Sequence, residues 1–90
     1  LFTLKAVTAQ IKVSGTVKDN HGKKIAGVSI TLKGTYDGAV TDSVGVYSFK
    51  SYEKGDFVLE AKEVGYKPVE QKLTLNREPV SIDFILKEEV

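Results

Sequence analysis

Short runs in which apolar and polar residues alternate one by one occupy most of this chain, and no other feature constrains its fold as strongly. The run 28–33 places valine, isoleucine and leucine at every second position, and the runs 57–62 and 80–87 repeat the pattern. Neighbouring side chains of a β-strand point to opposite faces of a sheet, so this period predicts strands with one buried and one wet face. Antiparallel sheets give this clean alternation, whereas strands of parallel sheets are apolar on both faces. The sequence therefore predicts antiparallel β-structure.

Turn-forming residues separate these runs about every eight to twelve positions, and no stretch has the period of an amphipathic helix. This spacing is typical of a β-sandwich or barrel. Seven strands are predicted, beginning near Ile11, Val28, Ala39, Val46, Phe57, Val69 and Val80. The side chains expected in a shared core are Val13, Val17, Val28, Ile30, Leu32, Tyr47, Phe49, Phe57, Leu59, Leu73, Ile82 and Phe84.

Aspartate and glycine mark the turns between the strands. Asp19 begins a turn that closes at Gly22, because an aspartate side chain accepts hydrogen bonds from backbone two residues further on and glycine tolerates positive φ. Asp42 is expected to accept backbone N–H groups in the turn 41–45 in the same way. The residues assigned to structural turns are Asp19, Gly22, Gly34, Asp42, Gly45 and Gly65.

Composition excludes several classes of function. The 90 residues include 13 basic and 12 acidic side chains for a net charge of +1, with the two signs interspersed. Neither a nucleic-acid-binding stripe nor a patch for anionic membranes is predicted from such a distribution. The chain has no cysteine, which excludes disulfides and thiolate metal sites. No apolar run reaches the length of about eighteen residues that a transmembrane helix needs.

Metal and cofactor sites are not expected. His21 is the only histidine and lies in a turn without a second ligand at any usual spacing. Asp19, Asp37 and Asp42 offer carboxylates for calcium, but they fall in different turns and match no known calcium loop. The glycines of the turns are followed by no helix N-terminus and no G-K-[ST] sequence that would bind phosphate.

Catalysis is not expected either, and one binding alternative stays open. His21 is the only imidazole that could act as a base for the serines, so no nucleophilic triad is predicted. A domain of this size also has little room for an enclosed catalytic pocket. Tyr36, Tyr52 and Tyr66 are the alternative, as an aromatic platform for carbohydrate, although they fall in different loops.

Three sequence blocks occur in a fixed order and carry a family resemblance. They are V-S-G-T-V at 13–17, G-V-S-I-T-L-K-G-T at 27–35 and T-D-S-V-G-V-Y-S-F at 41–49. Together they resemble the carboxypeptidase-regulatory-like domain of transthyretin type. The resemblance covers residues 11–88 and implies a single all-β domain, an antiparallel seven-stranded β-sandwich with the Greek-key topology of transthyretin (prealbumin).

The resemblance also bears on activity. Hydroxyisourate hydrolases of transthyretin-like fold use two histidines, an arginine and a C-terminal Y-R-G-S tail. This chain has one histidine and one arginine, Arg77, and its last four residues are K-E-E-V. The catalytic parts of that enzyme are therefore absent from this sequence.

The variant that this chain resembles most is the N-terminal extension of SusC-like, TonB-dependent outer-membrane receptors. There the module precedes the TonB-interacting segment, a plug domain and a membrane-spanning barrel. The resemblance implies an exported, non-catalytic accessory domain on the periplasmic side of the outer membrane, with no membrane insertion of its own. Its implied partners are the plug and barrel of the parent and periplasmic proteins of the TonB system. The alternative is a binding or stabilising module of a secreted peptidase or surface protein, and the sequence after Val90 would separate the two.

The two ends of the chain lie outside the resemblance. Residues 1–10 are interpreted as the remnant of a signal peptide or as an N-terminal arm, because small residues precede Gln10 and apolar residues alternate before it. Residues 89–90 are interpreted as the start of a linker. The domain itself is assigned to residues 11–88.

Overall fold

Two four-stranded sheets pack face to face in the computed structural model, which describes residues 9–89. The strands are β1 (Ile11–Asp19), β2 (Ser29–Leu32), β3 (Gly38–Val40), β4 (Val46–Ser51), β5 (Gly55–Lys62), β6 (Val69–Leu75), β7 (Val80–Ser81) and β8 (Phe84–Leu86). One sheet has the order β4-β1-β7, with β8 also paired to β1, and the other has the order β3-β2-β5-β6. The predicted all-β sandwich is confirmed. No helix long and apolar enough to cross a membrane occurs in the described part of the chain, and the interpretations of residues 1–8 and of Val90 fall outside it.

The core lies between the sheets, where the apolar sides of the alternating strands meet. Its buried side chains are Ile11, Val13, Val17, Ile25, Val28, Ile30, Leu32, Tyr47, Leu59, Ala61, Leu73, Leu75, Phe84 and Leu86. Nine of these belong to the predicted core, and the other three predicted members, Phe49, Phe57 and Ile82, are partly buried and pack against it. The two-residue period therefore predicted the buried face of each strand correctly.

The C-terminal strand differs from the prediction in two respects. The single run expected from Val80 onward is divided into β7 and β8, so the sandwich has eight strands. Both pieces pair with β1 in parallel, whereas an antiparallel arrangement was expected throughout. The division falls at Ile82 and Asp83, where the regular ladder is interrupted: the Ile82 N–H still donates to the Ser14 carbonyl, and the Asp83 side chain accepts from Thr16.

A notch in β1 accounts for the position of this break. A Cβ atom added at Gly15 would lie 1.7 Å from the carbonyl oxygen of Ile82 and 3.0 Å from the ring of Tyr47. Gly15 and Tyr47 are paired in the β1–β4 ladder, so the first and third sequence blocks meet at this point. Only glycine leaves room here for the backbone of the C-terminal strand.

The parallel pairing gives the sandwich two distinct ends. At the proximal end β1 starts with Ile11, which is paired with Ser51 of β4. At the distal end β1 finishes with Asp19, which is paired with Leu86 of β8. The chain therefore enters the sandwich at one end and leaves it at the other.

Replacing Gly15 tests the notch. We expect Gly15→Ala to lower the free energy of unfolding by about 3 kcal/mol, because the new methyl group displaces the Ile82 carbonyl from a packed position. Gly22→Ala is the control, since Gly22 has φ of 84° and open space around its missing Cβ, and it should cost about 1–2 kcal/mol from backbone strain alone. Urea unfolding of both variants measures the difference. Equal losses would show that the notch does not constrain the fold.

Candidate functional site

The distal end carries one well-defined polar turn, built around Asp19. Its Oδ1 accepts hydrogen bonds from the backbone N–H of His21 at 2.8 Å and of Lys23 at 2.9 Å. The Gly22 N–H donates to the Asp19 carbonyl at 3.1 Å, and Gly22 has φ of 84°. The pKa of Asp19 lies below its usual value, mainly because its carboxylate accepts from the N–H of Lys23. Desolvation opposes this shift of the pKa, and the N–H of His21 and nearby positive charge add to it.

Asp42 organises a second turn by the same local chemistry. Its Oδ1 accepts from the backbone N–H of Val44 at 3.0 Å and of Val46 at 2.9 Å. Gly45 has φ of 76°, and its carbonyl accepts from the Val17 N–H of β1 at 2.8 Å. Both aspartates thus hold backbone donors of their own turns, and both turns lie against the distal half of β1.

The other turn glycines are divided between the two ends. Gly65, with φ of 88°, lies at the distal end, where its carbonyl accepts from the Glu89 N–H at 2.9 Å. Gly34, with φ of 83°, follows β2 at the proximal end. Of the six turn residues predicted from the sequence, five lie at the distal end and only Gly34 lies at the proximal end.

The residues considered for calcium or sugar binding are not brought together. Asp37 lies at the proximal end, where its Oδ2 accepts from the Ser51 hydroxyl at 2.6 Å, far from the turns of Asp19 and Asp42. Tyr36 and Tyr52 are exposed at this same end. Tyr66 lies at the distal end, paired with Glu88. Within residues 9–89 no group of three potential metal ligands is found.

His21 and the serines considered for catalysis are also not brought together in the part of the chain that the structure describes. His21 is exposed in the distal turn, and its backbone N–H is bound to Asp19. Ser51 lies at the opposite end with Asp37 as its partner. The hydrogen bonds of the described residues include none between His21 and a serine.

The most elaborate constellation in the structure joins residues that sequence reasoning did not connect with one another. We call it the C-terminal lock, and it consists of Gly15, Thr16, Tyr47, Ile82 and Asp83. The Tyr47 hydroxyl donates to the Ile82 carbonyl at 2.7 Å. Asp83 Oδ1 accepts from the Thr16 N–H at 2.9 Å and from the Thr16 hydroxyl at 3.1 Å.

Tyr47 is the buried titratable group of the lock. Burial, with a smaller contribution from the negative charge of Asp83, raises the pKa of Tyr47 far above its usual value. The hydroxyl is already protonated at neutral pH with its usual pKa of about 10, and the shift extends its role as a donor to more alkaline pH. In the sequence, Asp83 looked like an ordinary solvent-facing residue of an alternating strand. The only sequence feature that could have indicated its role is the presence of an aspartate among strand-forming apolar residues, where aspartate is uncommon.

Thr41 is a second polar residue that sequence reasoning missed. It is 4% exposed, its hydroxyl donates to the Ile25 carbonyl at 2.8 Å, and it accepts from the Val28 N–H at 2.9 Å. These bonds satisfy backbone groups between two strands, which gives Thr41 a structural role.

Known proteins resemble this chain in sequence and in fold. A sequence model of the family described as the CarboxypepD_reg-like domain matches residues 13–90. TonB-dependent receptor P39 of Formosa agariphila is 36% identical over 93 residues, which cover 94% of this chain and 9% of that protein. TonB-dependent receptor SusC of Bacteroides thetaiotaomicron is 35% identical over 69 residues, which cover 77% of this chain and 7% of that protein. The chain thus spans less than a tenth of the length of these relatives.

The fold has counterparts among solved structures. The 5-hydroxyisourate hydrolase of Klebsiella pneumoniae superposes with a TM-score of 0.65 at 18% identity, covering 89% of this chain and 92% of that one. At such low identity the likeness shows the fold alone. It confirms the transthyretin-like sandwich.

Asp42 provides the first test of the turns. We expect Asp42→Ala to lower the free energy of unfolding by about 1–2 kcal/mol, because two backbone N–H groups lose their acceptor. Asp42→Asn keeps an acceptor oxygen and should lose less. Thermal unfolding with and without calcium is the measurement. A wild-type midpoint that rises with calcium, together with an unchanged midpoint for Asp42→Ala, would identify a calcium ligand instead.

Asp19 provides a test by pH. Its folded pKa lies below the usual 3.8, so its stabilising effect is complete above that value and is lost as the pH falls through the lowered folded pKa. Asp19→Asn keeps an acceptor oxygen but does not titrate. Urea midpoints between about pH 5 and pH 2 should therefore fall more steeply for the wild type than for the variant. Parallel curves would show that the carboxylate contributes nothing to acid sensitivity.

Proposed function

We propose, because this chain belongs to the CarboxypepD_reg-like domain family, that it serves as a non-catalytic accessory domain of a TonB-dependent outer-membrane receptor. The observation that carries the proposal is the match of nearly the whole chain to a small part of two such receptors. Transport, ligand binding and membrane insertion then belong to the remainder of the parent. The domain would lie on the periplasmic side of the outer membrane.

A non-catalytic role is supported by what the side chains do. The carboxylates of Asp19 and Asp42 are occupied by backbone donors of their own turns. Asp83 and Tyr47 fasten the C-terminal strand. These four polar side chains are thus engaged in holding the fold.

A spacing role is supported by the position of the chain ends. Strand β1 has nine residues, and a strand rises about 3.3 Å per residue. The sandwich therefore separates the incoming and outgoing chain by roughly 30 Å. Such a domain would set where the segment that follows it is presented to a periplasmic partner.

An open sheet edge is the surface we propose for that partner. Strand β6 is an edge strand of its sheet, and within the described residues it pairs along its length only with β5. Its seven residues leave one row of backbone groups without a strand neighbour, and such an edge accepts an extended segment by β-strand addition. Charged side chains lie on this strand: Glu70 forms an ion pair with Lys33 at 2.6 Å, and Lys72 is exposed. These charges favour a polar partner.

Deleting residues 11–88 from the full-length receptor tests the accessory role. We expect normal abundance in the outer membrane and unchanged affinity for the extracellular ligand, because the domain belongs to neither the barrel nor the ligand pocket. Uptake of the ligand should fall. Immunoblotting of outer membranes, ligand titration and uptake of labelled ligand give the three measurements.

Two point variants control for the deletion. Receptor carrying Gly15→Ile, in which the notch is filled and the domain cannot close, should behave like the deletion. Gly22→Ala should transport normally, because it leaves the sandwich folded. Loss of ligand affinity at normal abundance would make this a ligand-binding domain, and unchanged uptake under every nutrient tested would contradict the accessory role.

A further inference from the structure

The first and last strands of the fold lie side by side and run in the same direction. Three residue pairs join β1 to β8, from Val17 with Phe84 to Asp19 with Leu86. Two more pairs join β1 to β7. Because the chain enters at the proximal end and leaves at the distal end, a pull on its two ends draws these neighbouring strands in opposite directions along their own axes. The bonds between them are then loaded together instead of one after another.

From this geometry we infer that the domain is a load-bearing link, in which the C-terminal lock resists tension applied between the two ends of the chain. The inference goes beyond the accessory role, since it follows from the topology and holds for any parent that places the domain under tension. The partner it implies is a protein that pulls on the chain.

The notch at Gly15 opposes sliding of the C-terminal strand. Side chains two residues apart in a strand share a face, so Val13 and Val17 flank Gly15 on the buried side of β1. Both valines are fully buried. If the C-terminal strand slides in either direction, the Ile82 carbonyl must leave the space at Gly15 and meet a valine side chain. The notch therefore acts as a steric stop in both directions.

Hydrogen bonds of the lock cross the same boundary. The Ile82 N–H donates to the Ser14 carbonyl at 2.8 Å, and its carbonyl accepts from the buried Tyr47 hydroxyl at 2.7 Å. Asp83 accepts two bonds from Thr16. Tyr47 belongs to β4, so the load passes from the C-terminal strand into β4 as well as β1.

The outgoing segment is also fastened to the second sheet. The Lys67 N–H donates to the Lys87 carbonyl at 2.9 Å, and the Glu89 N–H donates to the Gly65 carbonyl at 2.9 Å. Residues 65–67 lead into β6, which runs back towards the proximal end. A pull on the outgoing chain therefore acts along this contact too, and both sheets share the tension.

Single-molecule pulling of this chain in two directions tests the inference. The chain has no cysteine, so handles can be attached at engineered cysteines. Gln10→Cys with Glu89→Cys pulls the ends apart and loads the lock in shear. Asn20→Cys with Glu89→Cys pulls at the distal ends of β1 and β8 and peels them apart. The molecule and its bonds are the same in both cases, and only the direction of the force differs.

The rupture force should be at least about twofold higher in the shear direction, with about fivefold as the limit if the five β1 pairs with β7 and β8 share the load equally. Tyr47→Phe removes one donor and keeps the ring, and Asp83→Asn weakens the contact with Thr16. Both should lower the shear force and leave the peeling force unchanged, because peeling begins at Leu86, before the lock is reached.

Thr41→Val is the control for general destabilisation. It removes the two buried hydrogen bonds of the Thr41 hydroxyl to Ile25 and Val28, neither of which joins β1 to β7 or β8. It should lower the melting temperature as Tyr47→Phe does, but leave the shear force close to that of the wild type. Equal forces in the two pulling directions, or an equal loss of shear force in Thr41→Val and Tyr47→Phe, would overturn the inference.

Discussion

The contact between the Ile82 carbonyl and the missing side chain of Gly15 is the constraint on which this sandwich depends. It holds the C-terminal strand against β1, the central strand of its sheet, at a point where a Cβ atom on Gly15 would lie 1.7 Å from the carbonyl oxygen. The hydroxyl of Tyr47, a residue that is 1% exposed, donates to that oxygen at 2.7 Å. A buried carbonyl without such a donor would be costly, so the glycine and the tyrosine form one device. Their pairing across β1 and β4 joins the first sequence block to the third.

Local patterns in the sequence were sufficient for the buried faces and the short third strand. Ile30 and Leu59 lie in the core because period-two alternation depends only on which face of a sheet is wet. The same pattern contains no information about the direction of the neighbouring strand. It also continues through Ile82 and Asp83 as though the strand were unbroken. The parallel pairing and the break depend on contacts between residues 67 positions apart, which no local pattern records.

The candidate site was harder to predict than the fold, for a related reason. The aspartates of the turns act on backbone within a few residues, and their motifs are visible in the sequence. Asp83 and Thr41 form hydrogen bonds with partners far along the chain. Nothing in the residues next to them in sequence indicates those partners. The function proposed for this domain rests on family membership, because a fold alone does not specify a function.

The parallel placement of the first and last strands also determines the order in which the protein can fold. Strand β1 is synthesised first, yet its pairing with β7 and β8 waits for residues 80–86. Closing so long a loop is slow compared with forming a hairpin. The first sheet therefore cannot be completed on a partial chain, and its central strand keeps one unpaired edge until almost the entire domain has emerged. A chain of this topology stays open during its own synthesis and closes in a single late step.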